Sequence, residues 1–316
     1  MSTHAGQTTA HVKYEPGFWA YASMEAEDYD AMYYVKGTIV FVAFYFFLHL
    51  LVHILCVSCS SVYRDRDTVK RIDYRSYVIS ILHSPIAVFL SFSGMFLVCP
   101  NDSTVFNDDA CYNTPRYIHI WSLLNTVGYF GQDLFYLFFY TGDSSPLTYQ
   151  TYAHHIVAIF TFYETAFFMN WMMIFGCMLL FIEVSTVFVS ARTLLFYHGM
   201  QTSWVYNVNG VLALIMFFLS RIVYQIGITL VMGLPYYIHD VTKDKAEAYE
   251  IFVLTQLATL VIGSIVLNLH WFMLMAAMAR RALARMTGGE KGVEMIQLVD
   301  DKQAKSDQNL MQDGNV

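Results

Sequence analysis

The 316-residue chain is 56% hydrophobic and 14% charged, with a net charge of -7 and five cysteines. Its apolar residues fall in long blocks, which excludes an ordinary soluble core and fits a polytopic membrane protein. The negative charge sits mainly in the two ends, and no basic patch points to nucleic acid.

Residues 1–36 are polar, acidic and aromatic, so they do not read as a cleavable signal peptide, and the first apolar helix is left to direct insertion. Seven stretches have the length needed to cross a bilayer. They are Tyr33 to Val57, Tyr77 to Cys99, Tyr117 to Tyr140, Tyr149 to Met169, Trp171 to Tyr197, Trp204 to Met232 and Tyr249 to Ala279. Tyr and Trp recur at their ends, where amphipathic rings suit the headgroup level. The third and fourth are joined by a turn from Thr141 to Pro146, while the fourth and fifth all but meet at Asn170.

Arg64, Arg66, Lys70, Arg71, Arg75, Arg192, Arg280, Arg281 and Arg285 all fall on one side of this arrangement. The positive-inside rule therefore predicts a lumenal or outer N-terminus and a cytosolic C-terminus. Cys99 and Cys111 share the second loop, on the non-cytosolic side, where either a disulfide or two free thiols are chemically allowed. Asn101-Asp102-Ser103 between them is a glycosylation pattern close to the membrane, more simply read as unused. Cys56 and Cys59 are read as packing thiols, with palmitoylation the alternative. From Arg285 onward the chain is too polar for a core, and a disordered or docked tail is expected.

The third and fourth stretches hold the chemistry. At helical spacing Asn125, Tyr129, Gln132, Asp133, Tyr136 and Tyr140 share one face, and Thr151, His154, His155, Ala158 and Thr165 share another. His83, His154 and His155 each lie about six residues from the cytosolic end of their stretch and Asp133 about seven, roughly 9–11 Å in. Titratable groups from three stretches thus occupy one layer, with Asn268, His270 and Glu183 deeper. A neutral imidazole can take a proton from an amine or alcohol or accept an acyl group, and a neighbouring aspartate would set its tautomer. The same groups could instead hydrogen-bond helices together, contributing about 0.6–2 kcal/mol per contact.

Glu183, with Thr186 and Ser190 on its face, pairs most simply with Arg221, the one basic residue deep in a stretch; a ligand-binding role is the alternative. Arg192, near the cytosolic surface, is expected to snorkel. His49 and His53 are one helical turn apart but lack a third ligand, so no metal is called for.

The motifs resemble those of the TLC-domain membrane proteins, a family that includes ceramide synthases and translocon-associated proteins. The carrying stretches are Ile72-Asp73-Tyr74-Arg75 with Ser80 and His83; Gly128-Tyr129-Phe130 with Asp133-Leu134; Tyr152-Ala153-His154-His155; and Glu183-Val184-Ser185-Thr186 with Arg192. Asn209-Gly210 with Phe217-Phe218 and Arg221, and Leu267-Asn268-Leu269-His270-Trp271-Phe272, complete the order.

The resemblance implies an all-α membrane protein of about seven transmembrane helices, six of them bundled around a central cavity. It divides the chain into a polar segment 1–36, an additional helix 37–58, a TLC domain 72–284 and a tail 285–316. In ceramide synthases the paired histidines matched by His154 and His155 transfer an acyl group from coenzyme A to a long-chain base. Where those enzymes read His-Asp-x-Ser-Asp, this chain reads Ile182-Glu183-Val184-Ser185-Thr186, which resembles the subgroup outside the ceramide synthases.

The expected function is therefore the handling of acyl lipids or sphingolipids, as an acyltransferase-like enzyme or a regulator of lipid composition. In the enzymatic version His154, His155 and Asp133 are catalytic, and His83, Tyr129, Gln132, Glu183, Thr186, Arg221, Asn268 and His270 bind the ligand. No cofactor is required, although acyl transfer would need an acyl-CoA co-substrate; membrane lipids are the expected partners. The alternative is a non-catalytic accessory subunit of a larger membrane complex. The endoplasmic reticulum is the expected membrane, with other organelles, mitochondria included, as alternatives.

Overall fold

The computed structural model describes residues 22, 24, 31–141, 145–168, 171–243 and 247–287, and among them every regular element is helical, with no β-strand. Helix α1 (Ala31–Cys59) is followed by the short α2 (Ser61–Arg64), by α3 (Thr68–Phe96) and by α4 (Asp109–Asn113). Next come α5 (Tyr117–Tyr136), extended by a π turn (Leu137–Thr141), and α6 (Pro146–Phe168). Helices α7 (Trp171–Leu179) and α8 (Val184–Tyr197) form one rod through a 3-10 turn, Leu180–Glu183. The next rod is α9 (Trp204–Phe217), a π turn (Phe218–Tyr224), α10 (Gln225–Ile228), a second π turn (Thr229–Gly233) and α11 (Leu234–Thr242), and α12 (Ala248–Thr287) ends the described chain.

Five rods are long and apolar enough to cross a membrane: Met32–Cys59, Thr68–Phe96, Trp171–Tyr197, Trp204–Thr242 and Ala248–Ala284. Helices α5 and α6 are of comparable length but carry the polar residues of the candidate site, which lowers their hydropathy. The last two rods run beyond the expected ends at Met232 and Ala279. The π turn Thr229–Gly233 stands directly before Pro235, whose ring would collide with a carbonyl of a regular helix. The widened turn lets the rod continue to Thr242. The join at Asn170 and residues 142–144 of the preceding turn lie outside the described residues, as do 288–316 of the tail.

Helix α5 is the centre. Fourteen of its twenty residues are buried, against α1, α3, α6 and α7. Tyr34, Tyr45 and Val52 of α1, Ile79 of α3, Phe162 of α6 and Met173 of α7 pack with Leu123, Leu124, Val127 and Phe130 of α5. The hydrophobic effect does not drive helices together in lipid, so close backbone approach and polar links carry more weight. Both occur here: Gly128 of α5 lies against the Phe41 backbone of α1, while Tyr34 donates to the carbonyl of Phe162 at 3.1 Å, Tyr163 to Thr38 at 2.6 Å, and Ser91 to the carbonyl of Cys177 at 2.7 Å.

One end of the bundle carries Arg64, Arg66, Arg71 and Arg75 and is termed the basic end. There Arg66 lies 4.5 Å over the Tyr197 ring and donates to that residue's carbonyl at 2.7 Å, while Tyr74 meets His198 at 2.9 Å. Arg192 does not extend outward as a snorkelling residue would. Its guanidinium lies 4.0 Å over Tyr206 and donates to that residue's carbonyl, tying α8 to α9.

At the opposite end Cys99 and Cys111 are joined in a disulfide. Asp108 caps α4, accepting from the backbone of Cys111 and Ala110, and these bonds hold its carboxyl below the usual range. Exposed Asn101 takes a left-handed conformation, φ 56°, that asparagine tolerates. Tyr112 and Tyr236 pack at 4.6 Å, and Trp171 donates to Asp240 at 2.8 Å, fastening this loop to α7 and α11. The cross-link closes a short loop, so Cys99→Ser is expected to lower stability by about 3 kcal/mol. Alkylation of the unreduced, denatured protein should label Cys56, Cys59 and Cys177 alone.

Candidate functional site

Two polar clusters occupy the interior. The first is built on α5. One turn apart on this helix, Tyr129 and Asp133 face α3 and α6, which bring His83 and His155. Asp133 Oδ2 lies 3.5 Å from His155 Nδ1, both side chains under a tenth exposed. At that separation the pair is in electrostatic contact without a hydrogen bond, and His155 Nδ1 has no other partner.

His83 is fully buried and tightly held. Its ring stacks on Tyr129 at 4.2 Å, and its Nδ1 lies 2.9 Å from the Tyr45 hydroxyl and 3.2 Å from Asn125 Nδ2. Tyr45 donates to Asn125 Oδ1 at 2.7 Å. With its proton given to Asn125, the Tyr45 oxygen can only accept from His83 Nδ1, whereas the Asn125 amide can only donate to it, so the two contacts favour opposite tautomers. His83 Nε2 is buried and unpartnered. Phe130 stacks on His155 at 4.3 Å and lies 6.4 Å from His83, so aromatic rings stand between the two imidazoles. His154 turns away to Trp271 of α12, at 5.6 Å, and Trp271 in turn donates to Gln150 at 2.7 Å.

The second cluster lies between the α7–α8 rod, the α9–α11 rod and α12. Arg221 Nη2 meets Glu183 Oε1 at 3.1 Å and donates to Thr186 at 2.8 Å; its Nε donates to Ser185 at 3.0 Å and its Nη1 to Asn268 at 3.4 Å. Thr186 donates to the other Glu183 oxygen at 2.7 Å, and Asn268 and Gln225 continue the chain to Ser264. Glu183 ends the 3-10 turn and Arg221 stands inside a π turn. Each irregular turn rotates its residue relative to a regular helix, and such turns collect at functional positions.

His270 does not join either cluster. It is two residues, hence about 200° of helix, from Asn268, so burying one exposes the other. His49 and His53 do not face a common point: His49 Nδ1 meets Gln132 Nε2 at 3.2 Å and His53 Nδ1 meets the Tyr63 hydroxyl at 2.6 Å. Among the described residues no group of three or more His, Cys, Asp or Glu could hold a metal. His119, buried and absent from the expected set, accepts from the Arg116 backbone at 2.9 Å and contacts the Gly94 carbonyl at 3.1 Å, so both nitrogens are spent on structure.

Tyr45, Gln225 and Ser264 are participants that the motif reading missed, and Ser185 stood in a quoted motif without a role. Tyr45 had a signal: with His49 and His53 it forms an i, i+4, i+8 row on α1.

The family model for the TLC domain matches residues 73–277, well over half of the chain. The chain belongs to the TLC-domain family. No curated protein matches it. The matched TLC domain contains both clusters from α3 to α12, whereas Tyr45 and His49 on α1 lie outside it. The protein is thus an integral membrane protein of the TLC-domain family, with ionisable groups buried in its helices.

Proposed function

We propose that this TLC-domain protein binds an acyl lipid whose polar end meets His83, Asp133 and His155 while its chain lies among the helices. In this reading all seven long helices cross the bilayer, with the basic end in the cytosol. The observation that carries it is a pair of unmade hydrogen bonds: His83 Nε2 and His155 Nδ1 are both buried without a partner, next to a buried carboxylate. Such atoms cost about 1–3 kcal/mol each if left unsatisfied, and polar ligand groups that reach each of them would meet the need.

The constellation also fits acyl transfer. His155 would remove a proton from an amine or hydroxyl, and the freed lone pair would bond to the acyl carbon of a coenzyme A thioester. The departing thiolate would take up that proton, with Asp133 steadying the charged imidazole meanwhile. The Glu183–Arg221 cluster, with Thr186 and Asn268, would line the deeper part of the lipid's path.

The test is a His154→Ala/His155→Ala protein and an Asp133→Asn protein, each compared with wild type for co-purifying lipid and for cellular lipid composition. Loss of a bound acyl lipid is expected from both, with an altered lipid profile. Unchanged bound lipid and an unchanged profile would remove the reading.

A further inference from the structure

On the α1 side of α5, about 100° round the helix from Asp133, a second set of buried polar atoms lacks partners. His49 is 1% exposed and Gln132 0%. Their mutual bond leaves His49 Nε2 and Gln132 Oε1 buried and unpaired. The pair has a property that does not depend on tautomer. If the amide donates to Nδ1, the imidazole offers an Nε2–H and the amide an oxygen. If the amide is turned over, the imidazole offers a lone pair and the amide an N–H. Either way one donor and one acceptor remain, the complement of a single hydroxyl group. The Tyr136 ring, stacked on His49 at 3.8 Å and 11°, holds the imidazole in place.

Arg75 of α3 supplies the cation. Its Nε is buried without a hydrogen-bond partner, and among the described residues no carboxylate lies within ion-pair distance of it. Helix α3 packs against both α1 and α5, the helices that carry His49 and Gln132. The order in depth matters. Arg75 is seven residues from the start of α3 and His49 ten from the end of α1, so they sit roughly 10 Å and 15 Å from the basic end at 1.5 Å per residue. An anion held by the guanidinium is therefore nearer the end of the bundle, and the hydroxyl is deeper.

We propose that Arg75, His49 and Gln132 form a binding site for a phosphorylated lipid with a free hydroxyl on its backbone, seated between α1 and the TLC domain. The phosphate meets Arg75, whose planar fork suits phosphate oxygens. The backbone hydroxyl satisfies the His49–Gln132 pair, and the acyl chain runs deeper along α1. A diacyl phospholipid has its hydroxyl in the wrong place or lacks one, because its backbone oxygens are esterified. This site is independent of the reading given for His155.

The experiment measures binding of lysophosphatidic acid, phosphatidic acid and inorganic phosphate to the full-length protein in detergent, by native mass spectrometry and thermal shift. Wild type is expected to bind lysophosphatidic acid at least tenfold more tightly than phosphatidic acid. Arg75→Gln should lose about tenfold or more for both lipids, whereas His49→Phe, which keeps a ring on Tyr136, should lose only the preference between them. Lys70→Gln, at an exposed position, serves as a charge control and should leave both unchanged. Equal binding of the two lipids by wild type, wild-type binding by Arg75→Gln, or no lipid bound at all would overturn the proposal. Stabilisation by inorganic phosphate equal to that by the lipid would overturn it too, by assigning the site to a free anion.

Discussion

Replacing Arg221 by leucine is expected to destabilise the protein by about 3–5 kcal/mol, the usual consequence of stripping one partner from a buried ion pair. The Arg221 and Glu183 side chains are 7% and 5% exposed, so Glu183 would keep its charge in a place where water cannot reach it. Four groups would also lose a donor: Glu183, Thr186, Ser185 and Asn268. Arg221→Lys should recover little, because a single ammonium cannot reach partners on two different rods at once. The informative variant is Arg221→Leu/Glu183→Leu, expected to recover much of the loss since the uncompensated charge is gone. Thermal unfolding in detergent of the two single variants and the double variant closes the cycle. A single variant as stable as wild type would show that the pair is not held dry.

The pairing of Glu183 with Arg221 was legible in the sequence because a lone arginine deep in an apolar stretch has few ways to be satisfied. Likewise Asp133 and the imidazoles of His83 and His155 could be matched by counting residues from the ends of their helices. What counting could not supply was rotation. Whether His154 or its neighbour faces Asp133 turns on 100° of helix, and the structure gives that place to His155 while sending His154 to Trp271. The same blindness misassigned His270. The 3-10 and π turns that aim Glu183 and Arg221 are set by packing between rods, so a pattern drawn on a regular helix misses them. Tyr45 was overlooked for another reason: α1 reads as an added anchor, and a tyrosine in an apolar helix reads as packing until its hydroxyl is seen between His83 and Asn125.

That role of α1 leads to the second large effect. A Cβ at Gly128 would lie 2.6 Å from Phe41 Cβ and 2.7 Å from the Phe41 carbonyl carbon, and backbone cannot swing aside as a side chain can. Gly128→Ala is therefore expected to push α1 off α5 and to destabilise the protein by about 1–3 kcal/mol, with Gly128→Leu worse. The displacement has a chemical signature that simple loss of stability lacks. Tyr45 would leave His83 and Asn125, and His49 would leave Gln132, while the Arg221 cluster on the far side stays intact. Cysteines introduced at Val42 and Gly131 should cross-link readily in the wild-type background and poorly beside Gly128→Ala. Gly131 neighbours Val42 at 3.5 Å from an added Cβ, so the probe itself is tolerated. If Gly128→Ala keeps both the cross-link and the bound lipid, α1 is a passive anchor. If it loses both while the protein remains folded, the helix outside the matched TLC domain is a wall of the site.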